Sequence, residues 1–203
     1  MGLTESLTNQ SVGLPLTLLF IFSAIIPGST LHAQSLPPAS PGERAPFSSR
    51  LRFEIAAGPA FEVAIAGERP SQRAVLAVPT LAIRVASWFD YTAEGHLSRH
   101  LSPVSGNAFG IVPIGLRVHR GARTQFHLAA GAGLAWTDLA GLHGVEQRRN
   151  FLTQIGVGIT RVGKNRAGVS LEARFFHLSN LHAAPPNLGM EMFALLVGYR
   201  LPR

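Results

Sequence analysis

The sequence predicts an all-β fold: an eight-stranded, antiparallel, up-and-down transmembrane β-barrel behind a cleaved signal peptide. Three observations carry that reading. Strand-length segments from Arg50 onward alternate apolar with small or polar residues at period two. The two faces so formed are unlike: one is bulky and apolar, the other rich in glycine and poor in charge, which suits a lipid-facing wall around a narrow lumen. A soluble barrel would need the reverse, with its charged face outward. Short and long connections also alternate along the chain, as periplasmic turns and extracellular loops do.

The elements follow in order. Val12 to Gly28 is a nearly continuous apolar run, and Ala33 offers a small residue at a cleavage site before Gln34, so residues 1–33 are expected to be a signal peptide. Residues 34–49 are rich in Pro and Ser and are expected to form a flexible lead-in. The barrel is expected over 50–203.

The first strand, 51–65, sets Leu51, Phe53, Ile55, Phe61 and Val63 against Arg52, Glu54 and Glu62. The second (74–86) opposes Leu81, Ile83 and Val85 to Thr80, Ala82 and Arg84; a weaker third covers 89–100. The fourth (109–119) opposes Val112, Ile114, Leu116 and Val118 to Pro113, Gly115, Arg117 and His119. The fifth (124–136), sixth (150–161), seventh (168–180) and eighth (190–201) continue the pattern. His119–Arg123 and Gly163–Ala167 are short connections; Leu101–Ala108, Thr137–Arg149 and Leu181–Gly189 are longer. With the N-terminus periplasmic, the seventh strand runs outward and ends at the extracellular interface. Trp136 and Trp88 then fall at opposite rims.

Composition narrows the functions available. The absence of cysteine excludes disulfides and thiolate metal sites. Beyond residue 33 the chain carries 18 basic against 10 acidic side chains, a net +8, which suits an anionic surface such as lipopolysaccharide phosphates. Nucleic acid is not an expected partner, because an exported chain without basic runs and interleaved aromatics lacks the required footprint.

The chemistry lies near the C-terminus. On the seventh strand Val169, Leu171, Ala173, Phe175, His177 and Ser179 share one face, the apolar one. Glu191 begins the matching row of the eighth strand, so a hairpin turning near Ala184 sets it opposite His177. A serine nucleophile needs a base within reach, and that base needs a group to orient its second ring nitrogen. His177, Ser179 and Glu191 can fill these roles. Asn180, Asn187 and backbone N–H groups near Leu181 and Gly189 are candidate oxyanion donors. The tripeptide His-x-Ser is cheap: His96-Leu97-Ser98 repeats it without a following Asn, and with Gly110 where the acid would fall.

His177-Leu178-Ser179-Asn180 followed by Asn187-Leu188-Gly189-Met190-Glu191 resembles the C-terminal signature of the lipid A 3-O-deacylases, eight-stranded outer-membrane barrels. The family pattern is a His-x-Ser-Asn strand end, an Asn-Pro-Gly loop and an acid twelve residues after the serine. Gly110-Ile111-Val112-Pro113, Leu116-Arg117 and Gly131-Ala132-Gly133 are also similar.

The resemblance implies a Ser179 nucleophile, a His177 base, a Glu191 orienting acid and an oxyanion region at Asn180 and Asn187. It implies no metal or cofactor, and a substrate in the ester-linked 3-hydroxyacyl chain of lipid A within the outer membrane. Three departures stand out: Leu181-His182 replaces a small pair, Leu188 replaces proline, and the chain ends Tyr199-Arg200-Leu201-Pro202-Arg203 rather than on an aromatic residue. A structural or adhesive barrel that keeps the hairpin without activity is the alternative, and a soluble lipid-binding barrel a third.

Overall fold

The computed structural model describes residues 50–63, 71–139, 145, 147–180 and 189–202. The expected signal peptide and lead-in, Asn187 and the Leu181-His182 pair lie outside the described residues. The described chain forms eight strands: β1 (Leu51–Glu62), β2 (Arg73–Ala86), β3 (Phe89–Ser102), β4 (Gly106–Arg120), β5 (Thr124–Thr137), β6 (Arg149–Val162), β7 (Gly168–Ser179) and β8 (Met190–Arg200). Each pairs antiparallel with its neighbours in sequence, and β1 pairs with β8, so the sheet closes into an up-and-down barrel with no free edge. Among the described residues no helix is long and apolar enough to cross a membrane, which says nothing of strands.

Alternation decides what goes where. Phe53, Ile55, Val85, Phe126, Val157, Val169, Leu171 and Val197 are all exposed on the outer surface. Arg52, Glu94, Arg117, Glu172 and Arg174, of the opposite parity, are buried inside. Two glycines on β6 make room for this interior. A Cβ at Gly156 would stand 2.5 Å from Glu172 Oε1, and one at Gly158 would stand 2.6 Å from His127 Nε2.

Three details differ from the sequence expectation. The β3–β4 connection is only residues 103–105, because both strands run further than their hydrophobic pattern does. Val112 points inward and is fully buried, whereas Pro113 and Ile114 are both exposed. The cause is a bulge: Thr92 pairs with Gly115 but Glu94 with Val112, so β4 carries one extra residue and its parity flips there. Pro113 suits such a site, since it has no N–H to give the ladder. Its carbonyl accepts a hydrogen bond from the Tyr91 hydroxyl.

The interior is also not uniformly small and polar. Near the ends of the strands that carry Ser179 (the loop end) it is an apolar core of Leu76, Val78, Leu152, Phe176, Leu178, Met190, Met192 and Leu196.

Towards the opposite, turn end, the interior is charged and paired. Glu54 receives Arg117 at 2.6 Å and Arg200 at 2.8 Å; Asp90 receives Arg84 at 2.6 Å and also Arg52. Mid-barrel, Arg174 holds Glu94 at 2.6 Å and Glu172 at 2.7 Å, Gln154 donates to Glu94 at 2.7 Å, and His127 stands 3.2 Å from Glu172. Every strand contributes a member. Burying charge is costly unless each group is paired, and pairing across the lumen ties distant strands together. Arg174→Met should therefore strand Glu94 and Glu172 and destabilise the barrel by about 3–5 kcal/mol. Urea titration of the folded chain in detergent micelles measures this, and an unchanged midpoint would contradict it.

Candidate active site

Two hydrogen-bonded strands build the site. β7 and β8 run in continuous register from Gly168↔Arg200 to Leu178↔Met190, and within it His177 pairs with Glu191. Cross-strand partners project to the same face, and here that face is the outer one. His177 Nδ1 lies 3.2 Å from Glu191 Oε1, with the two side chains 35% and 18% exposed. The backbone beneath is held from both sides, since Val63 N–H donates to the Glu191 carbonyl at 2.9 Å. The alternate residues Phe176, Leu178, Met190 and Met192 point inward into the apolar core. Packing on one side of the wall thereby fixes the strands that carry polar groups on the other.

A carboxylate facing Nδ1 favours the tautomer with its hydrogen on Nδ1, which leaves the Nε2 lone pair free. Ser179 is the last residue of β7 and lies two residues beyond His177 on the same parity. That separation is about 7 Å along a strand, and among the described residues no hydrogen bond joins Ser179 to His177. Ser179 is only 7% exposed and Asn180 only 4%.

A pocket of about 280 Å³ adjoins them, lined by Asn180, by Phe151, the strand partner of Ser179, and by Leu134, Trp136, Asn150 and Arg149. Its lining combines the exposed apolar side chains of Leu134, Trp136 and Phe151 with the buried amides of Asn150 and Asn180.

Gly189, by sequence a candidate backbone donor, also bounds the site sterically. Its φ is +66°, a conformation costly for any residue with a Cβ. A Cβ there would also stand 2.3 Å from His177 Cε1 and 3.1 Å from Nε2. The backbone thus passes directly beside the imidazole, and only glycine permits both the turn and the approach. The sequence signal was the glycine itself, just before the strand that carries the acid.

The second tripeptide takes the other face. His96 and Ser98 point into the lumen, where His96 meets the Phe176 ring edge-on at 4.7 Å and Ser98 Oγ lies 3.2 Å from His100 Nε2. Parity separates the two copies, since an inward pair cannot face a lipid.

The profile of the family described as Lipid A 3-O-deacylase (PagL) matches residues 78–200, which include the whole of this hairpin. The chain belongs to the lipid A 3-O-deacylase family. Among solved structures, the crystal structure of the outer membrane enzyme PagL is 16% identical, with 75% of this chain and 99% of that chain covered at a TM-score of 0.51. Neisserial surface protein A is 13% identical, with 76% and 98% covered at a TM-score of 0.58. At such identities these likenesses speak for the shared barrel fold. No curated protein sequence matches the chain.

For this member of the family, Gly189→Ala should push the imidazole off Glu191 while leaving β7 and β8 paired. Nitrogen-15 NMR of His177 in micelles would register the lost Nδ1 contact. Unfolding should shift by no more than about 1–2 kcal/mol. An unmoved His177 signal would show that Gly189 does not position the ring.

Proposed function

We propose that this chain is an outer-membrane serine esterase that removes the ester-linked 3-O-acyl chain of lipid A. The observation that carries the reading is the His177–Glu191 contact on the outer face, at the strand end occupied by Ser179. The family match and the apolar outer surface support the membrane and the substrate class. In an outer membrane, with the loop end outward, the hairpin meets the leaflet in which lipid A resides. A partly exposed polar pair on an otherwise apolar face is costly in lipid, and function is the usual reason for keeping one.

In this mechanism Ser179 Oγ attacks the ester carbonyl carbon as its proton passes to His177 Nε2. Glu191 holds Nδ1–H and stabilises the imidazolium that forms. Asn180, Asn187 and nearby backbone N–H groups are the proposed donors to the tetrahedral oxyanion. The C–O bond to the sugar then breaks, and the imidazolium returns its proton to the sugar oxygen. Water, deprotonated by the same imidazole, releases the acyl chain from Ser179 as a carboxylic acid. The pocket beside Phe151 and Asn180 gives the apolar chain a place next to the reacting carbon. No metal or cofactor enters this scheme.

Ser179→Ala and His177→Ala should each lower acyl release by about 10³-fold or more, and Glu191→Ala by less, since the orienting acid contributes least. Mass spectrometry of lipid A from cells expressing each variant, beside heat-shifted gel mobility for folding, reads both effects. An unaltered acyl pattern with wild-type protein, in a host whose lipid A carries the 3-O ester, would instead favour a non-enzymatic barrel. Leu181-His182, where the family places small residues, is the feature favouring that second reading.

A further inference from the structure

A second groove lies away from the hairpin, on the outer face of β2 to β5 at the loop end. Its volume is about 810 Å³. Val75, Leu97, Phe109 and Trp136 form its floor, with the Phe109 and Trp136 rings stacked at 6.0 Å across the β4–β5 pair. Arg99 and Arg148 stand at its rim, both exposed. Arg99 is preset, because Nη1 donates to Asn107 Oδ1 at 3.1 Å. Asn107 in turn is anchored to Asp138, by its backbone N–H at 2.5 Å and its Nδ2 at 3.3 Å. Among the described residues lining the groove, Asp138 is the one carboxylate, and it is engaged by neutral donors of Asn107, while two guanidinium groups overlook an apolar trough.

In the barrel order β7 and β8 stand across the wall from β3 and β4. Among the described residues, Trp136 alone lines both this groove and the pocket beside Asn180.

We propose that this groove holds a second, non-reacting lipid A molecule, with a phosphate on Arg99 and Arg148 and acyl chains along Leu97, Phe109 and Val75. The charge arrangement selects the occupant. Guanidinium forks match phosphate oxygens, and a headgroup bound at the rim leaves its chains against the apolar floor. A zwitterionic phospholipid offers the same chains, but its own cation opposes the arginines. A basic rim above an apolar trough at the level of the interface is the arrangement by which anionic lipid headgroups are held between transmembrane elements. The proposal rests on the outer-membrane placement above and not on catalysis at Ser179.

The test uses the full chain carrying Ser179→Ala, so that bound lipid is not consumed. Native mass spectrometry from detergent micelles counts lipids retained after addition of phosphorylated lipid A, dephosphorylated lipid A or phosphatidylcholine. Phosphorylated lipid A should be retained at least about tenfold better than either of the others. The Arg99→Gln/Arg148→Gln double variant should lose that preference, and Arg99→Lys/Arg148→Lys should keep most of it. Arg149→Gln, at the rim of the other pocket, should leave it intact. Equal retention of dephosphorylated lipid A overturns the proposal, as does an equal loss in Arg149→Gln, which would assign the lipid to the pocket beside Ser179. Acyl release by the wild-type chain is scored separately. If it is absent while phosphorylated lipid is retained, the esterase reading falls and the groove stands; the reverse result removes the groove alone.

Discussion

The barrel wall is one strand thick and closed, so every side chain on it must choose between two surroundings. That constraint governs the rest of the molecule. A residue of one parity joins a packed interior, and its neighbour joins an apolar outer surface. No edge remains at which a misplaced group could reach water. Charges on the inner parity must find partners across the lumen, and polar groups on the outer parity must have a use or sit at a rim.

The interior meets this demand in two ways along its length. Towards the turn end, ion pairs centred on Glu54 and Asp90 join β1 to β2, β3, β4 and β8, and the Arg174 cluster adds β5, β6 and β7. Towards the loop end, apolar packing takes over, with Phe176, Leu178, Met190 and Met192 filling the space behind the hairpin. The candidate site thus rests on an apolar, close-packed support. Such packing resists small displacements, and a catalytic contact tolerates few of them. The Gly189 backbone adds a second restraint, touching the imidazole from the loop side.

Much of the site was legible in the sequence, for a definite reason. Strand parity is arithmetic: residues two apart share a face, and an antiparallel hairpin sets one strand's row against the other's. From that alone His177 and Ser179 could be placed together on the apolar row and Glu191 opposite His177. The observed register agrees, and the carboxylate stands within contact of Nδ1. The same arithmetic failed on β4. Alternation puts Val112 on the outer row, but it is buried, because a bulge adds a residue whose position alternation cannot reveal. The strands flanking residues 103–105 also run further than the apolar pattern indicates, since Ser102, Gly106 and Asn107 join the ladder by backbone pairing.

The sequence by itself determined the class of fold, the number of strands, the face carrying the hairpin and the family to which it belongs. Those depend on period and local order, which a chain carries in one dimension. Only the tertiary structure decided which interior charges meet, since Glu94 and Arg174 stand eighty positions apart and are joined by closure of the ring. Closure and register also created the groove on β2 to β5, where Arg99 and Arg148 come to overlook a shared apolar floor. The approach of Gly189 to His177 is a third such outcome, for a close contact between backbone and ring is a matter of ångströms that no residue spacing encodes.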